Sequence, residues 1–239
     1  MPETLDDFLQ NRPPTPDRPL LGQTVLLVED SRFASEAIRL LCLRSGARIR
    51  RADTLRSAAR HLRTYHPSVL IVDMGLPDGS GLDLVAELSR AAPRVPVILA
   101  TSGDDAMETA ALSAGADGFL SKPMVNLAAF QEAVLSRLPE DVRPNGLRPV
   151  PMQDVDPDRV AYRDDLAHIV EILGDKTDPA TLDYATAFLG GVAKSAEDGE
   201  LLGAVDDLSR CQKEGAPTGS AMARVSGLIE ERLSLPQAV

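Results

Sequence analysis

Three apolar runs constrain the fold most strongly: VLLV at Val25–Val28, VLIV at Val69–Val72 and VILA at Val97–Ala100. Each is apolar at successive positions, which fits a strand buried on both faces. Each also stops abruptly at polar residues. Glu29, Asp30 and Ser31 follow the first run, Asp73 the second, and Thr101 and Ser102 the third. Two weaker runs, Ala47–Arg50 and Gly118–Ser121, complete the series, the latter followed by Lys122 and Pro123. Between them, apolar residues recur at helical spacing: Ile38, Leu41 and Cys42; Leu55, Ala58, Ala59, Leu62 and Tyr65; Leu127, Phe130, Val134 and Leu138. Strands alternating with helices predict an α/β domain with a doubly wound, five-stranded parallel sheet. Right-handed crossovers put helices on both faces. Functional groups in such a sheet gather beyond the carboxyl ends of its strands.

Those ends carry a specific chemistry. Glu29, Asp30 and Asp73 converge there with the Thr101 hydroxyl and the Lys122 ammonium. Three clustered carboxylates repel one another, and a divalent cation relieves the repulsion. Mg²⁺ takes oxygen ligands and usually keeps several waters. Glu29 and Asp30 are placed to hold it, with Asp73 as a shared ligand. The constellation suits phosphoryl transfer to a carboxylate, with the cation neutralising the incoming group. Lys122 would pair with one phosphoryl oxygen and Thr101 would hydrogen-bond another.

The segments VLLVEDS, VLIVDMGLPDGSGLDL, VILATSG and GADGFLSKP together resemble the four signatures of the response-regulator receiver domain of two-component signalling. The similarity runs from about Gln23 to Leu138. It implies a flavodoxin-like fold and a cytoplasmic bacterial signalling protein. It implies that Asp73 accepts phosphate from a histidine kinase or histidine phosphotransfer protein. It also implies Mg²⁺ on Glu29, Asp30, Asp73 and the backbone carbonyl of Gly75, with Lys122 contacting the phosphoryl group. Thr101 and Phe119 would form the switch pair, and the Lys122–Pro123 peptide would be cis. Phe119 lacks the hydroxyl of the tyrosine also common at its position. Gly75 and Gly103 fall where the family tunes hydrolysis, and glycine at both leaves an attacking water neither shielded nor positioned. No enzymatic activity is expected beyond self-phosphorylation from a phosphodonor and autodephosphorylation.

Charge divides the chain. Leu21–Leu138 holds 13 basic and 13 acidic residues, whereas Pro151–Val239 holds 8 against 17. The reading is a flexible N-terminal tail over 1–20, a receiver over 21–138, a proline-rich linker over 139–157 and an acidic helical domain over 158–239. Four helical patterns fill the last: Leu166, Ile169, Val170 and Leu173, closed by Gly174; Leu182, Ala185, Leu189 and Val192, opened by Asp178 and Pro179; Leu201, Leu202, Val205 and Leu208; Met222, Val225, Ile229 and Leu233. They predict a small all-α bundle that completes its core alone, against the receiver or as a homodimer. Without a Lys/Arg cluster it is badly suited to DNA, which leaves a downstream protein partner as the expected contact. A DNA-binding transcriptional regulator and a phosphate-sink receiver are the alternatives. No GxxxxGK[ST] loop, GxSxG elbow, zinc spacing or disulfide framework occurs, and no apolar stretch is long enough to span a membrane.

Other features keep two readings. Seven arginines and one acid lie in Arg44–Arg63, with Arg56, Arg60 and Arg63 opposite Leu55, Ala59 and Leu62. This is a solvated face or a docking face for an acidic partner. His168 is a phosphotransfer candidate or a surface histidine; IVEIL follows it, with no cation. His61 and His66 read as exposed. Asp78, Gly79 and Gly81 read as turn residues. Met107–Ala116 is alanine-rich and suits an apolar rather than an ionic contact face.

Overall fold

The computed structural model describes residues 13–144, 153–175 and 178–234. It separates into two compact units, one of Met1–Asp30 with Ser35–Asp156, the other of Ser31–Ala34 with Pro157–Val239.

In the first unit, β1 (Thr24–Val28), β2 (Arg48–Ala52), β3 (Val69–Asp73), β4 (Val97–Ser102) and β5 (Gly118–Ser121) form one parallel sheet in the order β2-β1-β3-β4-β5. This is the flavodoxin-like order, whose switch point lies between β1 and β3. The helices are α1 (Arg32–Ser45, whose first residues up to Ala34 belong to the second unit), α2 (Leu55–Thr64), α3 (Gly81–Ser89), α4 (Met107–Ala114) and α5 (Leu127–Leu135). A two-stranded hairpin pairs Gly75–Leu76 with Gly79–Ser80 after β3.

The apolar runs divide residue by residue between two cores. Val25, Leu27, Val69, Ile71, Val97 and Leu99 pack with Ile38, Leu41, Phe130 and Val134 from α1 and α5. Leu26, Val28, Leu70, Val72, Ile98 and Ala100 pack with Ala58, Leu84, Val85 and Ala111 from α2, α3 and α4. The two-residue period of a strand does this sorting. Each fully buried Leu or Ile contributes about 1.5–3 kcal/mol, so the runs both define the sheet and supply much of its stability.

Two stretches read as loose are partly built into this unit. Of the tail over 1–20, residues 1–12 lie outside the described residues, but Leu20 is wholly buried. Of the linker over 139–157, residues 145–152 lie outside them, Glu140–Val142 forms a 3₁₀ turn, and Val155 enters the core. The Leu127 amide donates to the Gln153 carbonyl (3.0 Å) and the Val155 amide to the Val125 carbonyl (2.9 Å). Proline favours extended backbone, and here that backbone pairs where an apolar residue finds cover.

The second unit contains α6 (Arg159–Asp175), α7 (Pro179–Ser195), α8 (Gly199–Glu214) and α9 (Gly219–Ser234). Consecutive helices pack on one another and α9 packs back on α6. Leu166, Ile169, Leu189, Val192, Leu201, Val205, Leu208, Val225 and Ile229 form its core. Val170 does not join them and is 46% exposed, because its neighbour Ile169 takes the inward position. Asp178 caps α7 through the Thr181 amide (3.0 Å), with Pro179 in the first turn. Asp198 caps α8 and also accepts from Tyr162 Oη (2.8 Å) and Arg232 Nε (2.9 Å). Within the same unit the buried Asp165 carboxylate accepts from Ser31 Oγ (2.7 Å) and the amides of Arg32 (2.8 Å) and Phe33 (3.0 Å). No helix among the described residues is long and apolar enough to cross a membrane.

Candidate functional site

Because β1, β3 and β5 run parallel, their carboxyl ends deliver Glu29, Asp30, Asp73 and Lys122 to one edge of the sheet. Lys122 Nζ lies 2.6 Å from Glu29 Oε2 and 2.7 Å from Asp73 Oδ1. The Lys122 and Glu29 side chains are only 9% and 2% exposed. The Gly75 amide donates to Asp73 Oδ2 at 2.9 Å, so the two oxygens of Asp73 have different partners. Glu29, Asp30 and Asp73 each place one carboxylate oxygen within 4.8 Å of the others, the single such acidic, cysteine or histidine group among the described residues.

The electrostatics follow from burial. Loss of water pushes the Glu29 carboxyl up, to about 8, against the opposing pull of Lys122 and with Asp73 and Asp30 adding to the rise. For Lys122 burial acts against the charge, but the Asp73 and Glu29 carboxylates outweigh it and hold the ammonium well above the ordinary lysine range. One buried ammonium faces three carboxyl groups, so burial favours the proton on Glu29 and a further cation would favour its release. Only oxygen atoms form the acidic group, a donor set that suits a hard divalent cation.

Local structure explains the placement. A Cβ at Gly81 would lie 2.1 Å from the Asp73 carbonyl oxygen, so only glycine lets α3 start this close to the end of β3. At Gly75 a Cβ would sit 3.7 Å from Asp73 Oδ2, an ordinary contact. Asp78 does more than turn the chain. Its carboxylate accepts from the amides of Leu55 (2.8 Å) and Arg56 (3.0 Å), and Thr54 Oγ1 accepts from Ser57 (3.1 Å). Together they satisfy amides at the start of α2 that have no partner within the helix.

The remaining expected residues are distributed as follows. Thr101 is buried, and its hydroxyl donates to the Leu120 carbonyl at 2.8 Å rather than to Asp73. Phe119 is half-buried against the core on the α2–α4 side. The Lys122–Pro123 peptide is cis. Gly103 follows the end of β4. On α2 the buried alanine is Ala58, while Ala59 is exposed with Arg56, Arg60 and Arg63. His61 is half-buried, its ring edge-on to Tyr65. His168 is exposed beside Phe188.

Sequence reasoning missed Asp78 as a cap and Arg51 as a neighbour of the acidic pair. Arg51 Nε donates to the Glu29 carbonyl (3.2 Å) and Nη2 to the Asp30 carbonyl (2.8 Å). Backbone carbonyls are the partners in one case and backbone amides in the other, and neither leaves a mark in side-chain pattern.

The response regulator receiver domain family model matches residues 25–134. These residues are a receiver domain. The chain is 34% identical over 99 residues to the KDP operon transcriptional regulatory protein KdpE of Escherichia coli, covering 41% of this chain and 44% of that protein. It is 31% identical over 118 residues to the virulence transcriptional regulatory protein PhoP of Salmonella typhimurium, covering 47% and 52%. The chain thus spans about half the length of the curated relatives it matches. Among solved structures, a response regulator receiver domain from Methylobacillus flagellatus aligns over 48% of this chain and 97% of its own, with 27% identity and a TM-score of 0.43.

Proposed function

We propose that this chain is a two-component response regulator phosphorylated on Asp73 and that it signals through its helical unit by protein contact. The observation that carries the reading is the Lys122 ammonium held between Glu29 and Asp73 in a pocket of three carboxylates. The donors are a histidine kinase or a histidine phosphotransfer protein. Glu29, Asp30, Asp73 and the Gly75 carbonyl would hold Mg²⁺, which supplies charge neutralisation for an approaching phosphoryl group. An Asp73 carboxylate oxygen attacks phosphorus; the N–P bond of a phosphohistidine protonated on its other ring nitrogen breaks with its electron pair going to nitrogen, the O–P bond forms, and the imidazole leaves neutral, keeping that proton. Lys122 exchanges a carboxylate partner for a phosphoryl oxygen. Hydrolysis of the acyl phosphate returns Asp73, and no other enzymatic activity is needed.

Phosphorylation then biases a two-state equilibrium. Thr101 gives up the Leu120 carbonyl for the phosphoryl group, and Phe119 turns into the space that Thr101 leaves. The output face includes α4, where Leu112 is 45% exposed among Thr109, Ala110 and Ser113. An apolar contact fits this surface better than an ionic one. The test is intact-mass measurement after incubation with phosphoramidate and Mg²⁺. One added phosphoryl group, lost in Asp73→Asn and in excess EDTA, supports the reading; none, or one that survives Asp73→Asn, refutes it.

One observation favours a second output. Both named relatives are transcriptional regulatory proteins, so the helical unit could act at promoters instead. The phosphorylated chain titrated with duplex DNA separates the two: affinity falling steeply with salt indicates phosphate contacts and transcriptional output. No binding at low salt leaves protein contact.

A further inference from the structure

Strand β1 ends at Val28, and beyond it the Glu29 and Asp30 carbonyls leave the sheet ladder and need other partners. The Glu29 amide is still held, by the Ala52 carbonyl at 2.9 Å. The two carbonyls are taken by a side chain from the edge strand. Register sets Leu27 beside Arg51, and from there the guanidinium reaches past the end of β1 to donate to both, at 3.2 and 2.8 Å. Ser35 Oγ adds a long contact of 3.5 Å to the Glu29 carbonyl. These carbonyls belong to the two residues whose carboxylates join Asp73 in the acidic group. The dihedral angles at Glu29 and Asp30 aim those carboxylates, and beyond the Glu29 amide Arg51 ties this turn to the edge strand. A guanidinium is a rigid planar fork that can hold two acceptors at a fixed separation, whereas an ammonium is a point donor on a flexible stem.

Arg51 also brings a positive charge towards a site that is to receive a cation. Its two effects have opposite signs. As a charge it weakens cation binding; as a clamp on the main chain it strengthens it. We propose that the clamp prevails: Arg51 is a positioning residue that holds the Glu29–Asp30 turn so that both carboxylates face one divalent ion. The proposal rests on reading the acidic group as an Mg²⁺ site.

The experiment titrates MgCl₂ into the full-length chain by calorimetry at fixed ionic strength, for the wild type, Arg51→Met and Arg51→Lys. Thermal unfolding in EDTA reports on the fold. Loss of an orienting partner one step removed from a metal typically costs 10–100-fold in affinity. Because Arg51 is exposed, a loss of about tenfold, at the lower end of that range, is expected for both variants, with little change in melting temperature. Arg51→Lys keeps the charge and loses the fork, so weakening there separates geometry from charge even if Arg51→Met folds poorly. Tighter binding by Arg51→Met with unchanged binding by Arg51→Lys makes Arg51 only a charge and overturns the proposal. Unchanged binding by both also overturns it. If the wild type binds no Mg²⁺, the metal reading itself fails and Arg51 falls with it.

Discussion

Replacing Lys122 by methionine keeps an unbranched apolar stem and removes the one ammonium between Glu29 and Asp73. Both partners are buried, and their ligand oxygens lie within 4.8 Å of each other and of Asp30. At an effective dielectric constant of about 20, two carboxylates at that separation repel by roughly 3.5 kcal/mol. Proton uptake by Glu29, already raised by burial, limits the penalty. Breaking a buried pair by removing one partner typically costs about 3–5 kcal/mol, and the lower figure is the appropriate one here. For a unit of this size, about 3 kcal/mol corresponds to a fall of roughly 10 °C in melting temperature. Mg²⁺ should restore much of the loss, since a ligand at about one hundred times its Kd stabilises by about 2.7 kcal/mol. Circular dichroism melts in EDTA and in millimolar MgCl₂ provide the assay. Wild type should respond modestly to Mg²⁺ and Lys122→Met strongly. A variant that melts within about 2 °C of wild type in EDTA would show that the ammonium does not neutralise the pocket, and the electrostatic account would fail.

Three further outcomes follow from the same geometry. Gly81→Ala must push the start of α3 away from the Asp73 carbonyl, 2.1 Å from the new Cβ; a loss of about 1–3 kcal/mol is expected by denaturant unfolding, and an unchanged midpoint would refute the close approach. At Gly75 a Cβ would meet Asp73 Oδ2 at 3.7 Å, an ordinary contact; Gly75→Asn and Gly103→Glu should change the lifetime of the phosphorylated form, and an unchanged lifetime in both removes any tuning role for these glycines. In the helical unit, burial opposes the charge of Asp198, but the Arg232, Leu201 and Tyr162 hydrogen bonds prevail and lower its pKa from 3.8 to about 2. A depressed carboxylate stabilises the fold above its unfolded pKa and loses that contribution as pH falls through the folded one. Asp198→Ala should therefore cost about 2–4 kcal/mol near neutral pH and show a weaker stability loss below pH 3.8 than the wild type; equal acid sensitivity would contradict this.

The parts of the fold legible in sequence were those fixed by local period. Val25–Val28, Val69–Val72 and Val97–Ala100 are apolar on both faces because both faces of the sheet carry helices, and so they stand out. Asp73, Glu29 and Lys122 were legible because a parallel sheet gathers whatever follows its strands at one edge. What stayed hidden depends on long-range contact. The Asp78 cap on α2 spans 23 positions between donor and acceptor. Leu20 and Val155 sit in proline-rich surroundings that look like linkers, yet each finds cover in the core. Val170 and Ala59 misled for a narrower reason. Each lies one residue from a buried neighbour, Ile169 and Ala58, and a one-residue step around a helix turns a side chain by about 100°.

The most direct test of the central claim, that Asp73 carries an acyl phosphate in a cation-dependent pocket, is ¹⁹F NMR of the full-length chain with beryllofluoride. Slowly exchanging bound fluoride resonances that require Mg²⁺ and vanish in Asp73→Asn are predicted. Resonances that persist in Asp73→Asn, or none in the wild type at saturating Mg²⁺, would contradict the account.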